Sequence, residues 1–332
     1  MATETEIHLP PAIRHPRPIF LAGPTAVGKS AVALVLAERI GGEIISVDSM
    51  QVYRGLDLGT AKPFAAERAR VPHHLIDVVE LNEPFDAARF VTLAQQAVAE
   101  IQSRGRIPIF CGGTGLYFKA FLDGLGEAPP SDEKLRADLD AAPLAELLRE
   151  LEQCDPATFA KIDRQNPRRV VRAVEVIRLT GKPFSEQRAR WGKAADEQTV
   201  GSSHCDDRTA QRAVPTMVVL SRSSPDLHAR INARVDEMFA RGLVEETRRL
   251  LGHGLAQNKT AMQAIGYRQV VEHLRGERSL PETLELVKSK TRQFAKRQMT
   301  WFRKQASAQW IELQPQDSAE AMAALVQAQC AE

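Results

Sequence analysis

Three observations in this 332-residue chain predict an α/β fold, a parallel sheet flanked by helices. Short apolar runs, IFLA (19–22), EIISVDS (43–49) and IPIFCGG (107–113), alternate with stretches of helical spacing, SAVALVLAERI (30–40) and DAARFVTLAQQAVAEIQS (86–103). The first run leads directly into GPTAVGKS, Gly23 to Ser30, which fits G-x-x-x-x-G-K-[ST] between a strand and a helix and makes the sheet P-loop NTPase-like. After GEAPPSD (126–132) strand character is lost until TMVVLSR (216–222), so an all-helical insertion domain is expected between them.

The elements follow in order. Residues 1–17 are proline-rich without periodicity and are expected to be a flexible extension. Residues 18–125 and 211–305 are expected to form the P-loop α/β core, in which Asp86 caps the helix after it and long helical patterns run from Asp226 to Arg303. Residues 126–210 form the helical, basic insertion, with a mobile polar loop over GKAADEQTVGSSHCDDRTA (192–210). Residues 306–332 are expected to be a C-terminal tail and receive no function.

Composition narrows the class. With 43% hydrophobic and 26% charged residues the chain is globular, not disordered, collagen-like or coiled-coil, and long enough for about two domains. No apolar stretch approaches the roughly 20 residues that span a bilayer, and the N-terminus lacks an apolar signal core, so a soluble cytoplasmic protein is expected. Cys111, Cys154, Cys205 and Cys330 form no CxxC pair, which predicts reduced thiols rather than disulfides or a zinc ribbon. The formal charge of +2 hides a segregation: Glu127–Asp155 holds nine acids against three bases, and Lys161–Lys193 ten bases against three acids. A second, acid-free basic run spans Lys288–Lys304. Such clusters are a nucleic-acid footprint or a solvated helix face, and charge alone does not separate the two.

GPTAVGKS carries the strongest chemical signal. The backbone of Gly23, Pro24, Thr25, Ala26, Val27 and Gly28 can curl its N–H groups around a phosphate at a helix N-terminus. Lys29 neutralises charge, and the Ser30 hydroxyl can ligand Mg²⁺. By motif alone the occupant is ATP or GTP and the reaction hydrolysis or phosphoryl transfer. Asp48, however, ends its strand and is followed by Ser49, Met50, Gln51, Val52 and Tyr53. At a strand's C-terminal end, where α/β proteins bind ligands, such an aspartate can serve Mg²⁺ or hold and deprotonate an acceptor.

Together, GPTAVGKS (23–30), DSMQVYRGLDLGTAKP (48–63), PHHLID (72–77), GGTGLYFKA (112–120), IGYRQ (265–269) and RQFAKRQMTWFR (292–303) resemble, in order and spacing, the bacterial tRNA dimethylallyltransferases of the tRNA isopentenyltransferase family. The resemblance implies transfer of a dimethylallyl group from dimethylallyl diphosphate to N6 of adenosine 37, just 3′ of the anticodon, in tRNAs reading codons that begin with U. Diphosphate is released, and Mg²⁺ is the expected cofactor, with Ser30 its ligand. It further implies that the P-loop holds a prenyl diphosphate, that Asp48 is the base, and that Thr25, Lys29, Ser30 and Thr114 meet the diphosphate. An additional diphosphate arginine falls on Arg230, with Arg234 as the alternative.

Contacts to the tRNA anticodon stem-loop are implied for Asp48, Ser49, Met50, Gln51 and Thr114. They are also implied for Arg136, for Gln165, Asn166, Pro167, Arg168 and Arg169, for Gln263, Ala264, Ile265, Gly266, Tyr267 and Arg268, and for the basic helix from Arg292 to Arg303. Phe294, Trp301 and Phe302 are expected to pack in the core rather than stack on bases. His73 and His74 lack ligand-spaced partners and are expected to pack and hydrogen-bond; zinc is not expected, since only Cys330 lies near the C-terminus. A monomer without membrane association is the family expectation. The rivals are a P-loop small-molecule kinase, a non-catalytic RNA-binding NTPase, and an enzyme that prenylates free adenine nucleotides.

Overall fold

The structure, a computed structural model, describes residues 17–187 and 217–331. The extension at 1–16 and the polar loop expected at 192–210 lie outside the described residues. Contacts divide the chain into two compact units, one of residues up to 118 and from 217 onward, the other of residues 119–187.

The first unit is built on one sheet of six parallel strands: β1 (Ile19–Ala22), β2 (Gly42–Val47), β3 (His73–His74), β4 (Ile107–Gly112), β5 (Met217–Arg222) and β6 (Gln309–Leu313). They lie in the order β3-β2-β4-β1-β5-β6. β1 and β2 are buried along their whole length, as strands covered on both faces by helices must be. Register decides the location of the chemistry. Ala22 of β1 and Val47 of β2 both pair with Gly112 of β4. The three strands therefore end level, and the segments that follow them, 23–28, 48–51 and 113–114, leave the same edge of the sheet.

Helices α1 (Lys29–Ile40), α2 (Ala65–Arg70) and α3 (Ala87–Ser103) follow the strands, and α4 (Gly115–Asp123) runs across residue 118 into the second unit. Asp86 caps α3 as expected, accepting from Arg89 N–H at 2.9 Å. The second unit holds α5 (Glu133–Ala141), α6 (Leu144–Cys154), α7 (Pro156–Phe159), α8 (Pro167–Thr180) and α9 (Phe184–Gln187), and among the described residues it contains no strand. The chain then returns through α10 (Ser224–Ala240), α11 (Leu243–Leu251), α12 (Tyr267–Leu274), α13 (Leu280–Gln305) and α14 (Ala319–Ala331). A capping box starts α13: Ser279 Oγ faces Glu282 N–H, and Glu282 Oε2 accepts from Ser279 N–H at 2.9 Å.

Two elements differ from the expectation. Residues 306–331, expected to belong to a C-terminal tail, are not one. β6 extends the sheet, with Leu220 paired to Ile311, and α14 buries Met322, Ala323 and Val326 in the same apolar cluster as Val32 and Leu36 of α1. QWIEL is short and mostly exposed at the sheet's edge, and α14 is apolar all round, so neither shows a clear period in the sequence. β3 is missed for a related reason: two histidines carry no apolar pattern. His73 Nδ1 lies 2.7 Å from the Val71 carbonyl and His74 Nε2 2.7 Å from Glu43 Oε2, so both rings hydrogen-bond.

The second unit closes around Leu139, Leu147, Leu151, Val170 and Val174, and at its centre lies a fully buried carboxylate. Glu175 accepts from Ser131 Oγ (2.7 Å), Asp132 N–H (3.1 Å), Arg136 Nη2 (2.7 Å) and Arg172 Nη1 (2.8 Å). Burial acts to raise its pKa. The hydrogen bonds from Ser131 and Arg172 and the charges of Arg136 and Arg172 outweigh it and hold the carboxyl below the ordinary glutamate range. Ser131 and Asp132 belong to GEAPPSD, so this one side chain pins the start of the helical region to α8.

Glu175→Ala is expected to destabilise the second unit by about 2–4 kcal/mol in urea unfolding, because two arginines lose a shared buried partner. A depressed folded pKa contributes stability above the ordinary glutamate value of 4.5 and loses it as pH falls below. The gap between variant and wild type should accordingly narrow below that pH.

Candidate active site

The P-loop leaves β1 with Val27 fully buried as its apolar anchor and with Thr25 and Ala26 half-buried. Lys29 reaches back across the loop, its Nζ donating to the Pro24 carbonyl at 3.1 Å. Burial pushes the Lys29 ammonium down from its ordinary pKa, and nearby Arg234 adds to that, against Cys111 and Asp48. Cys111 itself is pushed up to about 11 by burial and is a neutral thiol.

Three arginines hold the loop from outside. Arg222, at the end of β5, donates through Nε to the Val27 carbonyl (2.8 Å) and through Nη1 to Asp226 (2.8 Å) and the Gln314 carbonyl (3.0 Å). Arg230 donates to the Ala26 carbonyl at 2.9 Å, and Arg234 to Thr25 Oγ1 at 3.3 Å. With these acceptors occupied from behind, the loop N–H groups other than those of Thr25 and Val27, which bond to Gln298 and the Pro24 carbonyl, are left to face a ligand. Burial lowers the pKa of both Arg230 and Arg234, with Arg222 adding to the effect on Arg230. Desolvated cations gathered this way favour an anion. Both arginine candidates reach the loop, one through a carbonyl and one through a hydroxyl. Their spacing of four residues on α10 puts them on one helix face, a signal present in the sequence. Arg222 carried no such signal.

At the neighbouring strand end Asp48 Oδ1 accepts from Met50 N–H (2.8 Å) and Gln51 N–H (3.3 Å), a turn that fixes the carboxylate. Among the described residues its Oδ2 takes no hydrogen bond. Thr114 is tied to the same place: its N–H donates to the Val47 carbonyl (3.2 Å), and its Oγ1 accepts from Ser49 N–H (3.2 Å), which leaves the hydroxyl proton available. P-loop, Asp48 and Thr114 are thus brought together as expected. A cavity of about 720 Å³ opens over Lys29, Ser30, Arg230 and Arg234 and extends to Phe64, on whose ring Arg241 lies at 4.5 Å.

Gln51, expected at the RNA, has its amide committed internally. Oε1 accepts from Ser46 Oγ (2.8 Å), and Nε2 donates to the carbonyls of Thr60 (3.1 Å) and Ala61 (3.3 Å). Lys62, which sequence reasoning did not single out, donates to the Tyr53 carbonyl (2.6 Å), to Asp57 (2.8 Å) and to Asp77. Residues 48–63 are therefore a loop stapled to itself, which explains why they read as one block.

Tyr267 requires a correction. It is fully buried, and its hydroxyl donates to Glu246 Oε1 at 2.6 Å while accepting from Gly59 N–H at 3.1 Å. Glu246 also accepts from Leu58 N–H at 3.0 Å. A Cβ on residue 59 would lie 2.5 Å from the tyrosine ring, so glycine is required there. Burial, followed by the charge of Glu246, drives the phenol far above its ordinary pKa and keeps it a donor. Ala264 and Gly266 are buried as well, Ile265 is half-buried, and Gln263 and Arg268 are exposed. These last three line a cavity of about 550 Å³ with Arg278, Lys290 and Arg297. The aromatic residues of α13 divide. Phe302 is fully buried against Phe118 and Trp301, as expected of a core residue, whereas Phe294 is exposed beside Arg297. In the second unit Arg136 is half engaged by Glu175. Gln165, Pro167, Arg168 and Arg169 stand exposed at the start of α8, where Asn166 holds the N-cap position.

The fold and this site define a P-loop protein with a fixed carboxylate, Asp48, at the end of β2. The profile described as IPP transferase matches residues 51–305. The tRNA dimethylallyltransferase 1 of Trichlorobacter lovleyi is 44% identical over 308 residues, covering 92% of this chain and 96% of that one. The tRNA dimethylallyltransferase of Geobacter metallireducens is 46% identical over 301 residues, 89% and 92% of the two chains. The crystal structure of the tRNA isopentenylpyrophosphate transferase of Bacillus halodurans superposes with a TM-score of 0.65 at 35% identity over 96% of this chain and 97% of that one. A eukaryotic dimethylallyltransferase acting on tRNA superposes with a TM-score of 0.69 at 28% identity over 90% and 74%. The chain belongs to the IPP transferase family.

Tyr267→Phe should lower stability by about 1–3 kcal/mol in chemical denaturation, since Glu246 and Gly59 N–H lose their shared partner. tRNA affinity by filter binding should stay unchanged, as the side chain cannot touch RNA.

Proposed function

We propose that this chain transfers a dimethylallyl group from dimethylallyl diphosphate to N6 of adenosine 37 in tRNAs reading codons that begin with U, releasing diphosphate. The observation that carries the reading is the level edge of β1, β2 and β4, which brings a phosphate loop, Asp48 and Thr114 to one place in a chain of this family.

The allylic C–O bond breaks as the N6–C bond forms, and negative charge collects on the departing diphosphate. The unpaired N–H groups of the P-loop, Lys29, Arg230 and Arg234 receive that charge, in a site where burial lowers the pKa of all three cations. Adenine N6 is a weak nucleophile because its lone pair is delocalised into the ring. Asp48 Oδ2 takes the N6 proton as the bond forms, while Oδ1 stays fixed by Met50 and Gln51. The Thr114 hydroxyl, held by Ser49 N–H, offers its proton to the leaving group's oxygen.

The exposed Ser30 hydroxyl beside Lys29 is a hard donor that suits Mg²⁺ shared with a diphosphate. When bound, the ion would supply Lewis-acid neutralisation of the leaving group. Among the described residues no cluster of three histidine, cysteine or carboxylate side chains could hold a metal by itself, so the diphosphate would complete the coordination. No helix among the described residues is long and apolar enough to cross a membrane. The enzyme is read as a cytoplasmic monomer without zinc.

Extruding the target base from the anticodon loop costs a few kcal/mol. Arg168 and Arg169 at the start of α8, and Arg268, Lys290 and Arg297 around the basic cavity, offset that cost through phosphate contacts.

Incubation with dimethylallyl diphosphate, Mg²⁺ and unmodified anticodon stem-loop RNA containing AAA, followed by digestion and mass spectrometry, should show adenosine gaining five carbons. ATP consumption without that gain would replace this reading with a kinase or NTPase. Asp48→Asn keeps the oxygen that fixes the turn but removes the base. Its kcat should fall by about 10²–10⁴-fold with tRNA affinity within a few-fold. The double charge reversal Arg168→Glu, Arg169→Glu should flatten the slope of log affinity against log salt by about 1.5, as two phosphate contacts are lost.

A further inference from the structure

One side chain joins the two loops that frame the site. Gln298, buried on α13, accepts from Thr25 N–H at 2.9 Å through Oε1 and donates to the Gly113 carbonyl at 2.9 Å through Nε2. Its partners dictate the amide's orientation, since an N–H can only donate and a carbonyl only accept. Thr25 belongs to the P-loop, and Gly113 immediately precedes Thr114. A Cβ at Gly113 would run into Gln298 Nε2, so the contact itself requires glycine. Among the described residues no backbone hydrogen bond links residues 23–30 to residues 113–115, which leaves the amide as the polar tie between them.

We propose that Gln298 is a positioning residue for prenyl transfer, setting the spacing between the loop that holds the leaving diphosphate and the Thr114–Asp48 edge that receives the acceptor. The role rests on the prenyltransferase reading above. Oε1 and Nε2 of the amide are both engaged with backbone groups of the two loops. It acts by holding Thr25 and Gly113, and a misplacement of about 1 Å between reacting groups costs about 10²-fold in rate.

Two variants of similar size test it. Gln298→Met removes both hydrogen bonds. Gln298→Glu keeps the acceptor for Thr25 N–H, but when ionised it sets an oxygen against the Gly113 carbonyl; when protonated, its O–H donates there as the amide does. Lys29, Asp48 and Arg234, the charged groups around the spanned loops, are common to all forms, so the ratio of variant to wild type isolates the introduced carboxyl.

At about pH 8.5 both variants should show kcat reduced by about 10–100-fold, with KM for tRNA within about threefold and melting temperatures close to wild type. As pH falls to about 6, Gln298→Glu should recover toward wild type while Gln298→Met does not. Wild-type kcat in Gln298→Met, a Gln298→Glu ratio that ignores pH, or a loss of rate matched by loss of folding in both variants would overturn the role. Wild type run in parallel separates the two questions, because a wild-type protein that prenylates nothing overturns the reading beneath it.

Discussion

The desolvation of cations around residues 23–30 is the constraint on which the rest of the structure depends. Desolvation lowers the pKa of Lys29 and Arg234, both half-buried, and of Arg230, which stays exposed at the rim of the loop. Gathering positive charge is costly, and the protein tolerates it by spreading the groups over backbone acceptors: Pro24, Ala26 and Val27 each give a carbonyl to a cation. Those bonds keep the loop open in its ligand-binding shape, and the remaining positive potential is satisfied only when an anion arrives. Arg222 extends the arrangement to the sheet's far edge, because it also holds the Gln314 carbonyl just beyond β6. The C-terminal segment is thereby linked to the phosphate site.

The loop after β2 solves a different problem. Its backbone carries the candidate base and must neither collapse into the phosphate cavity nor swing away from it. Lys62 and Gln51 bind it to itself, and Tyr267 with Glu246 bind it to α11 and α12 through Leu58 and Gly59. The segment around Tyr267, which the family resemblance associates with RNA, therefore acts on two sides. Gln263 and Arg268 face solvent, while the tyrosine between them and the core locks the loop of Asp48.

Helix α13 is divided in the same manner. Ala295, Gln298 and Phe302, spaced three and four residues apart, face inward, and Lys290, Phe294 and Arg297 face outward. One rigid rod carries both the tie between the substrate loops and cations of the basic cavity. The exposed Phe294 runs against the ordinary tendency of helices to bury aromatic side chains, and its position beside Arg297 on the outward face suits a contact surface better than a core.

What the sequence alone determined was local. Strand and helix periodicity, the glycine-framed P-loop and the Asp86 cap depend on neighbours in the chain, so the parallel α/β core, the helical insertion and the loop with Lys29 and Ser30 were legible in the order of residues itself, while Thr114 and the base role of Asp48 were implied by the family resemblance. Tertiary structure decided everything that rests on distant partners. That Tyr267 is buried follows from Gly59, more than two hundred residues away. That Gln51 is spent internally follows from the path of Thr60 and Ala61. That Gln309–Leu313 completes the sheet follows from register with β5, and that Arg222 and Gln298 belong to the site follows from carbonyls and N–H groups in other loops. Hydrogen bonds to backbone atoms use groups that every residue carries, so they leave no mark in the sequence of the partner, and only the folded chain reveals which of them are made.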